Sequence, residues 1–223
     1  MANDYFRFKQ FTVSQSCCAM KVGTDGTLLG AWARGGRRVL DIGTGTGLIA
    51  LMMAQRFPGA AVVGIDIDAE AVEQARQNAA DSPFADRITM QQADVCRFEG
   101  QFDAIVCNPP YFDKALLAPE SRRALARHSV ALSYAQLVAC SRRLLTPDGE
   151  LSVVVPYDCR QRLESEALLA GFFKSREWGV KTSSAKPPKR CLMAFRLHSC
   201  TLEKGEGCLQ SEWYKQLTND FYL

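Results

Sequence analysis

Short apolar runs alternate with segments of helical periodicity through most of the chain. Five of these runs predict β-strands, at residues 37–42, 61–65, 88–92, 102–107 and 150–155. Four segments beside them predict α-helices, at residues 48–56, 70–80, 134–145 and 160–170. This alternation predicts an α/β fold, in which helices cover both faces of a mostly parallel sheet.

The two ends of the chain depart from this alternation. Residues 173–180 and 190–198 predict an antiparallel hairpin at an edge of the sheet, because the residues between them have no helical pattern. Residues 211–222 predict a short helix. Residues 1–36 show no clean period and contain five glycines. We therefore expect a loop-rich extension or lid over residues 1–36, packed on a core of residues 37–223 in a single domain.

The composition is that of an ordinary globular domain. The 223 residues are 47% hydrophobic and 23% charged, which excludes collagen-like, low-complexity and small disulfide-rich proteins. No run of 18 apolar residues occurs, so we expect no membrane-spanning helix, and residues 1–10 are too polar for a signal peptide. The nine cysteines therefore predict reduced thiols in a cytoplasmic protein, packed as small hydrophobic side chains.

The charge is unevenly distributed, although its total is only +3. Residues 1–38 have a net charge of +4, residues 39–118 of −6, and residues 119–223 of +5. An acidic middle between basic ends is typical of a protein whose ends contact a polyanion. Chance scatter of surface charge would give the same distribution, so charge alone does not decide between these readings.

A glycine-rich turn follows the strand at residues 37–42. Asp41 precedes three glycines at alternate positions, Gly43, Gly45 and Gly47. The turn is not a dinucleotide fingerprint, because the sixth position counted from Gly43 is Leu48, and it lacks the Gly-Lys-Ser/Thr of a phosphate-binding loop. The negative charge of an Asp41 carboxylate would repel a pyrophosphate and attract a cationic group of the ligand.

Two further acids stand at the ends of the next strands. Asp66 ends the second strand, 25 residues after Asp41, where a carboxylate can accept hydrogen bonds from two ribose hydroxyls. Asp94 follows the third strand and is placed to reach an adenine. A tight turn with solvated surface acids would explain any one of these acids, but it explains three acids at corresponding strand ends poorly.

The tetrad Asn108-Pro109-Pro110-Tyr111 follows the fourth strand. In a parallel sheet, ligands bind at the carboxyl ends of the strands, so the tetrad faces the same crevice as the glycine turn. The Asn108 amide oxygen and the Pro109 carbonyl can each accept one N–H bond from a planar amine, and proline adds no competing donor. Tyr111 offers a flat face on which a base can stack. The alternative reading is a simple strand stop followed by a loop aromatic.

These motifs carry a resemblance. The acidic glycine turn with its two following acids resembles the class I S-adenosylmethionine-dependent methyltransferases, and the tetrad resembles the NPPY motif of enzymes that methylate exocyclic or amide nitrogens. Residues 8–11 and 18–33 make the chain similar to the bacterial tRNA1(Val) (adenine-37 N6)-methyltransferase family. The resemblance extends from Phe8 to Tyr222. It implies a Rossmann-like domain with a seven-stranded sheet, S-adenosyl-L-methionine as cofactor, and methylation of adenine N6 in a tRNA anticodon loop.

The resemblance also implies roles for single residues. Asp41 would meet the methionine amino group, Asp66 the ribose, and Asp94 would lie beside the adenine. The expected cofactor-binding residues are Asp41, Gly43, Gly45, Gly47, Asp66, Asp94, Lys21 and Thr24, and Asp25 is a further candidate contact. The expected catalytic residues are Asn108, Pro109, Pro110 and Tyr111.

Basic residues flank the predicted crevice. Between Tyr111 and Tyr134 lies a 22-residue insert with several of them, and the hairpin turn holds a second group that includes Lys181 and Arg190. A single lysine or arginine is more often an ordinary solvated side chain, but clusters beside one crevice suit phosphate contacts. The residues expected to contact tRNA are Arg122, Arg123, Arg127, Lys186 and Lys189. His128 and His198 have no metal-ligand spacing, so we expect no metal.

Other functions stay open on the sequence alone. A methyltransferase acting on a glutamine amide in a protein can also use NPPY, although the basic flanks and residues 18–33 argue against it. A guanine-N2 methyltransferase of rRNA shares the nucleic-acid chemistry. A non-catalytic RNA-binding module with a decayed site is opposed by the two intact motifs. We expect tRNA as the partner, no membrane association, and a monomer.

Overall fold

The computed structural model describes residues 4–15, 21–109 and 132–222. Two antiparallel strands, β1 (Tyr5–Arg7) and β2 (Thr12–Ser14), form a small sheet. Within the described residues the large sheet has eight strands: β3 (Arg38–Ile42), β4 (Ala61–Asp66), β5 (Ile88–Gln92), β6 (Phe102–Cys107), β7 (Leu145–Pro156), β8 (Phe173–Lys181), β9 (Arg190–Arg196) and β10 (Glu203–Cys208). The α-helices are α1 (Thr24–Trp32), α2 (Leu48–Arg56), α3 (Ala69–Ala80), α4 (Tyr134–Leu144), α5 (Arg160–Leu169) and α6 (Glu212–Thr218).

The strand order of the large sheet is β10-β8-β9-β7-β6-β3-β4-β5. Strands β3 to β7 are parallel, and β9 runs antiparallel between β7 and β8. Because side chains alternate across a strand, Val39 packs into one hydrophobic core with α1, α2 and α3, whereas Leu40 packs into a second core with α4 and α5. The predicted α/β class, with helices on both faces, is confirmed.

The edge of the sheet differs from the expectation. The predicted hairpin forms as β8 and β9, but β10 pairs parallel with β8 outside it. The hairpin is therefore not at the edge, and the described residues form eight strands rather than the expected seven. The β10 sequence, EKGEGC, is polar and contains two glycines, so it gave no strand signal. Gly205 is needed there, because a Cβ would lie 2.2 Å from the Trp178 ring.

Helix α1 lies in the segment expected to be loop-rich. Every residue of α1 after Thr24 is buried, so the helix has no polar face and therefore no amphipathic period. Its glycines allow close packing: a Cβ at Gly30 would lie 2.9 Å from the Met52 Cβ of α2. Helix α1 is therefore part of the core rather than a loop on its surface.

The turn signal at residues 146–149 lies inside strand β7. The register between β6 and β7 shifts there, from Phe102 opposite Leu145 to Ala104 opposite Glu150, so the turn residues form an irregularity of the strand. The 22-residue insert falls almost entirely within residues 110–131, which lie outside the described ranges.

The first and last described elements pack together beside α2. The Lys9 N–H donates to the Phe221 carbonyl at 2.8 Å. The Phe8 ring stacks on Phe11 at 4.7 Å and on Tyr222 at 5.8 Å between ring centroids. These contacts fix the turn between β1 and β2 to the segment that follows α6. Across the three described ranges, every helix is too short or too polar to span a bilayer.

Candidate active site

The candidate site lies at the carboxyl edge of the parallel strands. Ile42, the last residue of β3, pairs with Cys107, the last residue of β6. The residues that follow, Gly43 and Asn108, therefore start side by side at this edge. Strand β3 lies between β4 on one side and β6 on the other, so the strand order reverses at β3. Ligands bind at such a switch point in parallel sheets. The structure thus brings the glycine turn and the start of the tetrad together.

The glycine turn is open on one side. Gly43, Gly45 and Gly47 have positive φ angles of 69°, 54° and 81°. A Cβ built at Gly43 or Gly45 meets no atom within 4 Å, whereas one at Gly47 meets Met90. The first two glycines therefore border a space that a ligand can enter, and Gly47 closes the turn onto the start of α2.

Asp41 is fully buried beneath this turn. Its Oδ2 accepts hydrogen bonds from the Thr44 hydroxyl at 2.7 Å and the Ala50 N–H at 3.2 Å. Its Oδ1 has no hydrogen-bond partner among the described residues. Burial raises the pKa of Asp41 to about 7, with a smaller rise from the Asp66 charge, against the lowering effect of these two hydrogen bonds. Asp41 thus shapes the turn, and its unpartnered oxygen suits a cationic donor.

Asp66 joins the end of β4 to the same turn. Its Oδ2 accepts the Gly45 N–H at 3.0 Å, and its Oδ1 accepts the Asp68 N–H at 3.0 Å. Each carboxylate oxygen keeps a further lone pair, so the fixed, half-buried carboxylate can accept two ligand hydroxyls. The next residue, Ile67, is 58% exposed and offers an apolar face that sequence reasoning missed. Its signal is an isolated β-branched residue between two acids at a strand end.

Asp94 follows β5 on an adjoining loop. The Ala93 N–H donates to the Asp66 carbonyl at 2.9 Å, which places Asp94 near the end of β4. The exposed Asp94 side chain accepts the Cys96 N–H at 2.9 Å. The three predicted acids therefore surround one edge of the sheet, with Asp41 below the turn and the other two at its side.

Only the start of the tetrad is described. Asn108 is half-buried and Pro109 is buried directly after β6, and the strand ends there as predicted. Several predicted site residues lie outside the described residues, and their roles remain predictions: Pro110, Tyr111, Arg122, Arg123 and Arg127.

The N-terminal segment reaches the same edge. Asp25 forms an ion pair with Arg190, which lies opposite Pro156 at the carboxyl end of β7. Thr24 is the half-buried first residue of α1, next to Asp25, and Lys21 is exposed before it; their roles as cofactor contacts remain predictions. Burial raises the pKa of Asp25 to about 6.

Asn78 connects the N-terminal strands to the glycine turn. This buried side chain of α3 donates from Nδ2 to the carbonyls of Thr46 and Ser14, and its Oδ1 accepts the Ser14 N–H, each at 2.9 Å. Sequence reasoning missed it. The signal was a polar residue on the alanine-rich, buried face of the helix.

The basic hairpin turn contributes fewer free cations than its sequence suggested. Lys181 pairs with Glu206 at 2.6 Å, and Arg190 pairs with Asp25. Lys186 and Lys189 are exposed and have no ion-pair partner among the described residues, on a connection at the carboxyl end of β7.

A stacked pair beside this turn was not predicted. The Arg160 guanidinium lies 3.8 Å from the centre of the Tyr157 ring, and the Tyr157 N–H donates to the Lys189 carbonyl at 3.0 Å. The available signal was a tyrosine directly after the carboxyl end of a strand, with an arginine three residues later.

Comparisons with known proteins agree with this architecture. Residues 27–184 match the family described as "Methyltransferase small domain". The chain is 47% identical to the tRNA1(Val) (adenine(37)-N6)-methyltransferase of Phocaeicola vulgatus, over 100% of this chain and 99% of that protein. A solved structure of a predicted O-methyltransferase, Atu636 from Agrobacterium tumefaciens, superposes with a TM-score of 0.67 at 18% identity, covering 88% of this chain and 96% of that one.

A second solved structure shares the fold and contains a ligand. The glycopeptide N-methyltransferase MtfA, in complex with S-adenosylmethionine, superposes with a TM-score of 0.59 at 15% identity, covering 82% of this chain and 91% of that one. One assignment follows from the crevice, from the domain matched over residues 27–184 and from the 47% identity along the whole chain. The chain belongs to the tRNA1(Val) (adenine(37)-N6)-methyltransferase family of S-adenosylmethionine-dependent enzymes.

Proposed function

We propose that this protein transfers a methyl group from S-adenosylmethionine to N6 of adenine 37 in tRNA1(Val). The observation that carries the proposal is the placement of Gly43 beside Asn108, in a chain 47% identical to a protein named for this reaction. One motif suits a cofactor and the other suits an amine, and the β3–β6 register puts both in one crevice.

The residues present fit the cofactor. When bound, S-adenosylmethionine supplies a methyl group on a positively charged sulfur, which a nitrogen lone pair can displace in line. Asp41 has an unpartnered buried oxygen for a cationic group, and Gly43 and Gly45 border open space beside it. Asp66 would accept the ribose hydroxyls, and Ile67 would cover one face of the adenine.

The tetrad would hold the target amine. The Asn108 amide oxygen and the Pro109 carbonyl would each accept one N–H of adenine N6. These two bonds would hold the amine and favour a more pyramidal nitrogen, whose lone pair is less delocalised into the ring and points at the methyl group. Holding the reacting groups in position is the main contribution of such a site to the rate.

Lys186 and Lys189 would contact the tRNA backbone, together with the predicted contacts Arg122, Arg123 and Arg127. The stacked pair of Tyr157 and Arg160 lies next to these lysines and would support a nucleotide beside the target. A base in an anticodon loop must leave its stack to enter the crevice, which costs a few kcal/mol and less than in a duplex.

We further propose that the chain acts as a single-domain monomer in the cytoplasm, with residues 1–36 covering the cofactor. The shared hydrophobic core of α1 and α2 supports the single domain. Sedimentation of the enzyme with and without tRNA tests the monomer.

The test of the reaction compares two transcripts of tRNA1(Val). One is unmodified, and the other has guanine in place of adenine 37. With labelled S-adenosylmethionine, the first should gain N6-methyladenosine by nucleoside mass spectrometry, and the second should gain no label. Equal labelling of both transcripts, or label on a glutamine-containing peptide instead, would overturn the proposal.

A further inference from the structure

Two cysteines meet beside the proposed adenine site. Cys96 is exposed on the loop after β5, two residues beyond Asp94, and Cys140 is buried on α4. Their sulfur atoms are 3.2 Å apart, although the residues are 44 positions apart in sequence, and both are free thiols. A disulfide bond is about 2.05 Å long, so the sulfurs need to approach by only about 1 Å.

The backbone already holds the two residues in register. Arg143, one turn after Cys140 on α4, donates to the carbonyls of Phe98 at 2.6 Å, Val95 at 3.1 Å and Cys96 at 3.3 Å. These bonds fix the loop against the helix on both sides of Cys96. The two sulfurs are therefore held close together by the surrounding backbone.

The two thiols differ in accessibility. Cys96 is open to solvent, whereas burial and the hydrogen bond to Cys96 raise the pKa of the Cys140 thiol to about 12. An oxidant therefore reacts first with Cys96. Cys140 is close enough to act as the resolving thiol, because its high local concentration offsets its small thiolate fraction.

We propose that Cys96 and Cys140 form a reversible disulfide when the protein meets a small-molecule disulfide such as oxidised glutathione. The Cys96 thiolate attacks one sulfur of the oxidant, forms a mixed disulfide and releases one glutathione thiolate. Cys140 gives its proton to that thiolate and attacks the Cys96 sulfur, which releases the second glutathione. Two protein thiols are oxidised to one disulfide, and one oxidised glutathione is reduced to two thiols.

The bond would connect the two halves of the proposed site. It joins the loop of Asp94 to helix α4, and the chain segment that it closes includes Asn108. The bond closes a loop between residues that are 44 positions apart, which restricts the unfolded chain. The oxidised protein should therefore be more resistant to heat than the reduced one.

The experiment treats the reduced full-length chain with oxidised glutathione. A digest under non-reducing conditions should contain a Cys96–Cys140 peptide that dithiothreitol removes. Scanning calorimetry of the oxidised protein should show a midpoint about 5 °C or more above that of the reduced protein. Neither readout uses methyl transfer, so a failure here is distinguishable from a failure of the proposed function.

Three variants make the test specific. Cys96→Ser and Cys140→Ser should each lose the linked peptide and the rise in midpoint. Cys200→Ser, which removes a half-buried cysteine elsewhere, should retain both. A Cys96 that stays joined to glutathione, or a linked protein with an unchanged or lower midpoint, would overturn the proposal.

Discussion

Substitutions at different glycines of the glycine turn should affect cofactor affinity and stability to different extents. Gly45 and Gly47 have φ angles of 54° and 81°, where a side chain destabilises the fold by about 1–2 kcal/mol. Their surroundings differ. A Cβ at Gly45 meets no atom within 4 Å, whereas one at Gly47 lies 3.0 Å from Met90 Cε and 3.3 Å from Ala75 Cβ. We therefore expect Gly47→Ala to lose about 1 kcal/mol more stability than Gly45→Ala, because its neighbours must shift.

Affinity for the cofactor should show a different pattern. Gly45→Ala places a methyl group in the space assigned to S-adenosylmethionine, so its Kd should rise about tenfold or more, a loss of about 1.4 kcal/mol in binding. Calorimetric titration measures the Kd, and guanidinium unfolding measures the stability. Gly59→Ala, in an exposed turn with open space, is the control. Wild-type affinity in Gly45→Ala, or equal stability of the two turn variants, would refute this account of the turn.

Three further predictions concern the crevice. Asn108→Ala should lower the rate of tRNA methylation about 100-fold or more while leaving the Kd for S-adenosylmethionine nearly unchanged, and a rate near wild type in a single-turnover assay would contradict its role. The raised pKa of Asp41 means that the folded state favours its protonated form, so this group's contribution to stability is complete below pH 4 and is lost as the pH rises through about 7. Asp41→Asn should therefore flatten the fall in unfolding free energy between pH 4 and 8, measured by guanidinium unfolding, and an unchanged slope would count against the burial argument. The double charge reversal Lys186→Glu with Lys189→Glu should weaken tRNA binding. It should also reduce the slope of log K against log[salt] by about 0.7 per lysine, measured by filter binding from about 50 to about 200 mM KCl. The control Lys204→Glu, on β10, should retain the wild-type slope.

The parallel core could be predicted because its signals are local. Each predicted strand of the core is a short segment with apolar residues, and the acids and glycines stand at or just after the strand ends. The carboxyl ends of parallel strands meet at one edge, so Asp66 and Asn108 could be assigned to one crevice without knowledge of any contact.

The remaining features depend on tertiary contacts that leave no periodic signal. Helix α1 is buried on all sides, so it lacks the polar face by which a helix is recognised. Strand β10 is polar and gains its place from β8 and from the Trp178 ring against Gly205. Asn78 and the Cys96–Cys140 pair each join segments that are distant in sequence, and no local pattern specifies such partners.

The bond between Lys9 and Phe221 has a consequence for the order of assembly. The Lys9 side chain and its acceptor, the Asn219 carbonyl, are 210 positions apart, so each contact of Lys9 closes a very long loop. The parallel strands are joined by much shorter connections, so they can pair while β1 and β2 still lack their aromatic partners. We therefore expect β1 and β2 to complete their packing last when the unfolded chain refolds.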